Sequence, residues 1–341
     1  MKHIKLLTLL FVLISAVNIF AGGGKRNGTA GATELLIPVG ARGVAMGGAT
    51  LVNSTGVEAM YWNPANLALG QSSTSVFISH MNYIADINVE YGAIGFNVGE
   101  FGSIGLDVKS LAIGDILITD TVNPDGTGAT YKPAITVIGL TYSRVLNDRI
   151  SVGLTANYIS EVIDRVSATG ISFNVGVTYN NLANLDGLSL AVVIKNLGPE
   201  MKYGGSGLYI QANASDQNRG VQYYTAEAAG FELPSTLEFA MGYDYSIDEQ
   251  NVVNFSGVFQ NSNFWSDEYK LGAEYGFDNL FFVRGGYDFA PEVDKDANIF
   301  GATAGFGLNY ESNGMSVRFD YGYRDAKLLD ANHIFSVMLG F

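Results

Sequence analysis

The chain has 341 residues, 48% hydrophobic and 12% aromatic, with 42 glycines and only 15% charged residues. Soluble domains average about 25% charged residues and ~7% Gly, so the composition argues against an ordinary water-soluble domain. A formal charge of −14 argues against nucleic-acid binding, which wants a basic face. The absence of cysteine excludes disulfides, thiolate metal sites and lipoprotein anchoring.

In chain order, Lys2 and Lys5 lead into an apolar stretch from Leu6 to Phe20, and Ile19-Phe20-Ala21 offers a cleavage site before Gly22-Gly23-Gly24. The apolar run falls short of the ~20 residues of a membrane helix. Residues 1–21 are therefore expected to be a signal peptide, whose removal takes the charge from −14 to −16. Residues 22–70 are Gly- and Ala-rich, with one helix-like piece around Val57 to Tyr61 that Asn63-Pro64 should end.

From Gln71 to Phe341 the pattern is period two. Ile150, Val152, Leu154, Ala156 and Tyr158 alternate with Ser151, Gly153, Thr155 and Asn157. Phe335, Val337, Leu339 and Phe341 alternate with Ser336, Met338 and Gly340. One face is apolar and aromatic, the other small, polar or charged, as in a strand between lipid and a lumen. The same rule predicts about fourteen strands, at 74–83, 88–98, 102–113, 134–144, 150–160, 168–180, 187–196, 235–246, 251–260, 267–276, 280–288, 300–310, 315–324 and 332–341. The expected fold is all-β: a transmembrane antiparallel up-and-down β-barrel in the bacterial outer membrane, spanning residues 71–341.

Two regularities support the count. Connections after even strands are short, among them the Asn313-Gly314 hairpin turn, whereas those after odd strands include Gly114 to Pro133 and Leu197 to Pro234. Short turns on one side and long loops on the other are the outer-membrane asymmetry, with the long loops outside the cell. Even strands also close on Phe96, Tyr142, Tyr179, Tyr245, Tyr275, Tyr310 and Phe341, and several odd ones on Tyr83, Tyr158, Tyr287 and Tyr323. These should form two aromatic girdles at the headgroup levels.

The segment Val39-Gly40-Ala41-Arg42-Gly43-Val44-Ala45-Met46-Gly47-Gly48-Ala49 is followed by Ala59-Met60-Tyr61-Trp62-Asn63-Pro64-Ala65-Asn66-Leu67-Ala68. Together these resemble the PorV/PorQ family, a branch of the FadL-like outer-membrane barrels. The Arg-Gly-x-x-Met-Gly-Gly-Ala block resembles that branch, and Trp-Asn-Pro-Ala resembles the hatch motif of FadL-like proteins at large. The resemblance implies that residues 22–70 fold into the lumen as a hatch, with Arg42, Met46, Gly47, Gly48, Trp62, Asn63, Pro64 and Ala65 as its motif. It also implies a non-enzymatic role in type IX protein secretion, with exported proteins or secretion machinery as partners. The alternative is a gated channel for hydrophobic small molecules.

Chemistry is otherwise sparse. There is no phosphate loop, no His-Glu-x-x-His and no Gly-x-Ser-x-Gly, and no cofactor or metal is expected. His80 and His333 are expected at the rim or in the lumen. Asp294-Lys295-Asp296-Ala297-Asn298 lacks the Gly and distal Glu of a calcium loop. Lys270, Glu274, Arg284, Asp288, Arg318 and Asp320, with Glu238 and Arg324, occupy the polar phase of C-terminal strands, where pairing across the wall and contact with the hatch are expected. The long connection from Leu197 to Pro234 carries Tyr209, Tyr223 and Tyr224 and is expected either to face partners or to fold inward as a lid.

Overall fold

The computed structural model describes residues 28–213, 220–293, 298–327 and 329–341. The expected signal peptide and the Asp294-Lys295-Asp296 stretch lie outside the described residues. Fourteen antiparallel strands close into a barrel: β1 (Thr74–Asn82), β2 (Asn88–Asn97), β3 (Ser103–Ala112), β4 (Ala134–Asn147), β5 (Ile150–Ile163), β6 (Val166–Tyr179), β7 (Leu188–Leu197), β8 (Thr236–Ser246), β9 (Asn251–Ser262), β10 (Glu268–Phe277), β11 (Phe281–Phe289), β12 (Ala302–Ser312), β13 (Met315–Arg324) and β14 (Asn332–Gly340). Pairing of β14 with β1, from Ser75↔Gly340 to Asn82↔His333, seals the seam. Phe341 extends it, donating its N–H to Thr74 O at 2.9 Å and accepting from Ser73 N at 2.9 Å. Closure gives every strand two neighbours, as lipid demands, since each bare backbone group there would cost several kcal/mol.

The alternation places the faces as expected. Along β5, Ser151, Thr155 and Glu161 are buried toward the lumen, while Leu154, Tyr158 and Val162 are exposed on the outer wall. Strands β5 and β6 run further toward the long-loop end than expected. Alternation continues through Ser160-Glu161-Val162, and the turn is only Asp164-Arg165, with Asp164 at positive φ. Phe96, Tyr245, Tyr275, Tyr310 and Phe341 stand exposed on the outer wall at the short-turn end, and Tyr158 and Tyr287 at the other. Tyr83 departs from its expected girdle position. It shares the parity of Phe77, Ser79 and Met81, all buried, and so faces inward.

Residues 28–70 lie inside the barrel. Two short helices, α1 (Ala41–Ala45) and α2 (Ala59–Trp62), alternate with 3-10 turns at Thr33–Leu36, Gly56–Glu58 and Pro64–Leu69. Asn63 ends α2 in the extended backbone that a following proline favours, and its side chain caps the next turn by accepting from Ala65 N at 3.1 Å. The apolar face of the hatch (Val39, Val44, Val57, Met60, Leu67) packs on Phe77, Met81, Val89, Tyr91 and Ile334 of the wall. Full burial of such side chains stabilises by roughly 1.5–3 kcal/mol each.

Candidate functional site

The hatch is seated first by close backbone approach. Gly153, Gly176, Gly286 and Gly322 face the lumen from four strands. A Cβ on any of them would collide with Pro64, Asn63, Met46 or Ala41 respectively. Within the hatch, Gly43 lies under Trp62, so that a Cβ there would meet the indole at 2.5 Å. Gly47 and Gly48 adopt φ of +64° and +79°, the left-handed region where a side chain is strained. Met46 is fully buried, with its carbonyl against Gly272 and Gly286 of the wall. The Arg-Gly-x-x-Met-Gly-Gly block and Trp62 are thus two halves of one packing unit.

Polar pegs complete the seat. Asn63 Nδ2 donates to Leu51 O at 2.9 Å and to Thr178 Oγ1 at 2.8 Å; Thr178 in turn donates to Asn66 Oδ1 at 2.6 Å. Pro64 and Ala65 lie against the glycines of β5 and β6. On the opposite wall, charged groups close a six-membered ring. Arg42 Nη2 meets Glu274 Oε1 at 2.8 Å, and Glu274 Oε2 accepts from Arg284 Nε. Arg284 Nη1 meets Asp320 Oδ1 at 2.6 Å, and Arg318 Nε meets Asp320 Oδ2 at 2.8 Å. Arg318 Nη2 donates to Glu58 Oε2, which returns to Arg42 Nη1 at 3.6 Å. Three guanidinium groups and three carboxylates alternate, so the ring is neutral. The hatch supplies Arg42 and Glu58, and β10, β11 and β13 supply the other four. Unpaired, any of these buried ions would cost several kcal/mol.

Glu58 was not singled out from the sequence. The signal was there: Glu34, Arg42 and Glu58 are the only charges between Gly28 and Gly70, and a charge inside a lumenal segment needs a partner.

Above the hatch, toward the long loops, a cavity of 560 Å³ remains. Its floor includes Ile37, Tyr61 and Trp62, and its walls combine Ile84, Leu111 and Ile135 with Lys195, Glu238, Lys270, Asp288 and Arg324. Tyr61 lies between Lys109 and Lys195, whose ammonium groups are 4.9 and 5.2 Å from its ring centroid. Lys195 pairs with Glu238 at 3.2 Å, and Lys270 with Glu268 at 3.3 Å. Lys109 ties down the start of the hatch by donating to the Glu34 and Ile37 carbonyls at 2.6 and 2.5 Å.

Burial, and after it the neighbouring Glu161 carboxylate, push the Glu34 carboxyl up from 4.5 to about 7. A carboxyl raised in the folded state is docked best when neutral. Its contribution is therefore full below pH 4.5 and lost as pH climbs to about 7. Hydrogen exchange over residues 31–37, corrected for intrinsic rates, should be slower at the acid end of this window. Glu34→Gln should abolish the difference.

The sequence matches the family described as Type IX secretion system protein PorV over residues 21–262. The chain belongs to the PorV family. No curated protein matches it at a significant level. Among solved structures it is similar to the CymD monoaromatic hydrocarbon channel, with 15% identity, a TM-score of 0.56, and 90% of this chain and 98% of that one covered. It is also similar to the Pseudomonas putida toluene transporter TodX, at 13% identity and a TM-score of 0.56, covering 88% and 96%. These likenesses show a shared fold. With the family, they place the chain in the bacterial outer membrane.

In this PorV-family barrel the long connection between β7 and β8 divides in two. Its base folds inward: Met201–Lys202 pairs with Gly230–Phe231, and Met201 and Leu233 pack on Leu35, Val137, Ile159 and Ala168. Gly204 exchanges two 2.9 Å backbone hydrogen bonds with Ser167. This completes the wall where β7 stops pairing with β6 at Phe173↔Leu197. Its tip is a second hairpin, Tyr209–Ala212 with Gln222–Thr225, on which Tyr209, Tyr223 and Tyr224 are exposed. His80 and His333 stand outward near the long-loop rim, His80 against Glu90 at 2.6 Å and His333 against Tyr321 Oη at 2.8 Å.

Proposed function

We propose that this chain is a non-enzymatic outer-membrane component of type IX protein secretion, receiving or holding exported proteins at the cell surface through its long loops. The family match over residues 21–262 is the observation that carries this proposal. The seat of the hatch agrees with it: a neutral charge ring and backbone-to-glycine packing suit a fixed plug better than a displaceable gate. The Tyr209–Thr225 hairpin offers the contact surface, since exposed tyrosines give large contact area at low entropy cost.

The second reading is a channel for hydrophobic small molecules, favoured by the apolar part of the mouth cavity and the fold shared with CymD and TodX. Removal of residues 205–228, with the strands and the Met201–Phe231 base kept, tests the first. Exported proteins of the type IX class should lose surface retention while the barrel still assembles and shows heat-modifiable migration. Unchanged retention would sink the docking role. Saturable flux of toluene into liposomes holding the intact protein would favour the channel instead.

A further inference from the structure

Among the described residues, Arg324 and Asp288 of the mouth cavity make no ion pair. Arg324, 9% exposed, directs Nε and Nη2 to the neutral Asn332 Oδ1 at 2.9 and 2.7 Å. Its Nη1 has no acceptor, and no carboxylate comes within ion-pair distance of it, among the described residues. The guanidinium lies 3.7 Å from the Phe300 ring centroid and 5.9 Å from that of Tyr83. Asp288 lines the same cavity, and its carboxylate has no hydrogen bond or ion pair among the described residues. Lys270, its cross-strand neighbour, turns instead to Glu268 and to Gln260 Oε1, the latter at 2.6 Å.

An arginine whose plane is already held by aromatic rings loses little freedom on binding, and its free N–H groups suit a carboxylate. The carboxylate of Asp288 suits an ammonium. Register places Arg324 opposite Thr303, and Thr303 opposite Gly286. Asp288 is thus two strands across and two residues along, roughly 12 Å away at the backbone by strand spacing and rise. That separation is about the end-to-end length of three extended residues. The same cavity is lined by Ile84, Ile87, Leu111 and Ile135, which offer apolar surface. The volume, 560 Å³, is within the range of about 300–1,000 Å³ usual for small-molecule sites.

We infer that the mouth cavity binds a short zwitterionic peptide of apolar residues, its terminal carboxylate on Arg324 and its terminal ammonium on Asp288. The site is separate from the projecting hairpin, so its failure would leave the docking proposal standing, and the reverse.

Titration calorimetry on the purified full-length barrel in detergent tests this with trileucine, its C-terminal amide, its N-acetyl form and dodecanoate. Trileucine should bind, and blocking either end should weaken binding at least tenfold. Arg324→Gln should remove the penalty for amidation alone, and Asp288→Asn the penalty for acetylation alone. Each ratio is taken within one variant, so a general loss of stability would not imitate it, and the wild-type series needs no variant. Equal binding of all three peptides, or no binding by trileucine, would overturn the assignment. Binding of dodecanoate at or above the affinity of trileucine would also overturn it, showing that Asp288 takes no part.

Discussion

Replacing Arg284 with leucine is expected to destabilise the barrel by roughly 3–5 kcal/mol, the usual cost of removing one partner from a buried ion network. Arg284 is almost fully buried and bridges Glu274 to Asp320. Its loss opens the ring at two points and leaves three carboxylates facing the two guanidiniums of Arg42 and Arg318. The same geometry predicts a milder double variant. Arg42→Met with Glu58→Gln removes one charge of each sign, both from the hatch, and leaves Glu274, Arg284, Asp320 and Arg318 as a neutral, self-paired chain. It should therefore cost less than Arg42→Met alone, against the additivity expected of independent sites. Urea unfolding in detergent micelles, followed by heat-modifiable migration, measures these three and Glu58→Gln alone. A double variant as damaged as the sum of its parts would show that the six groups do not act as one ring.

Valine at both Gly153 and Gly286 should unseat the hatch. A Cβ at either position would overlap hatch backbone, of Pro64 in the first case and Met46 in the second, and a hydrogen-bonded wall cannot retreat to make room. Overpacking of this kind costs about 1–3 kcal/mol per site, charged here to the hatch rather than to the strand ladder. A barrel of fourteen strands is wider inside than its own side chains can fill. Hatch displacement should therefore open an aqueous path, read as stepwise ion conductance in planar bilayers where the wild-type barrel is silent. A double variant that stays closed at wild-type stability would mean that these contacts do not hold the plug.

What the sequence determined by itself is whatever repeats locally. Alternation along Ile150–Ile163 or Asn332–Gly340 settles which side chains face lipid, because successive residues of a strand point to opposite faces. The same rule applied to Phe77, Ser79 and Met81 would have turned Tyr83 inward, had parity been weighed above its place at a strand end. Asn313-Gly314 specified its turn by backbone chemistry, and both residues take the positive φ that a two-residue hairpin needs. Asn63-Pro64 likewise stopped a helix where expected.

The tertiary structure decided the rest. Sequence placed Glu274, Arg284, Arg318 and Asp320 in the lumenal phase, but their partners depend on the register of neighbouring strands and on the path of the hatch. Neither has a period that one strand can carry. For the same reason Glu58 became visible as a ring member, and Arg324 and Asp288 as charges without an ion pair among the described residues, only after closure. Whether a buried charge is satisfied depends on residues hundreds of positions away, 232 in the case of Arg42 and Glu274.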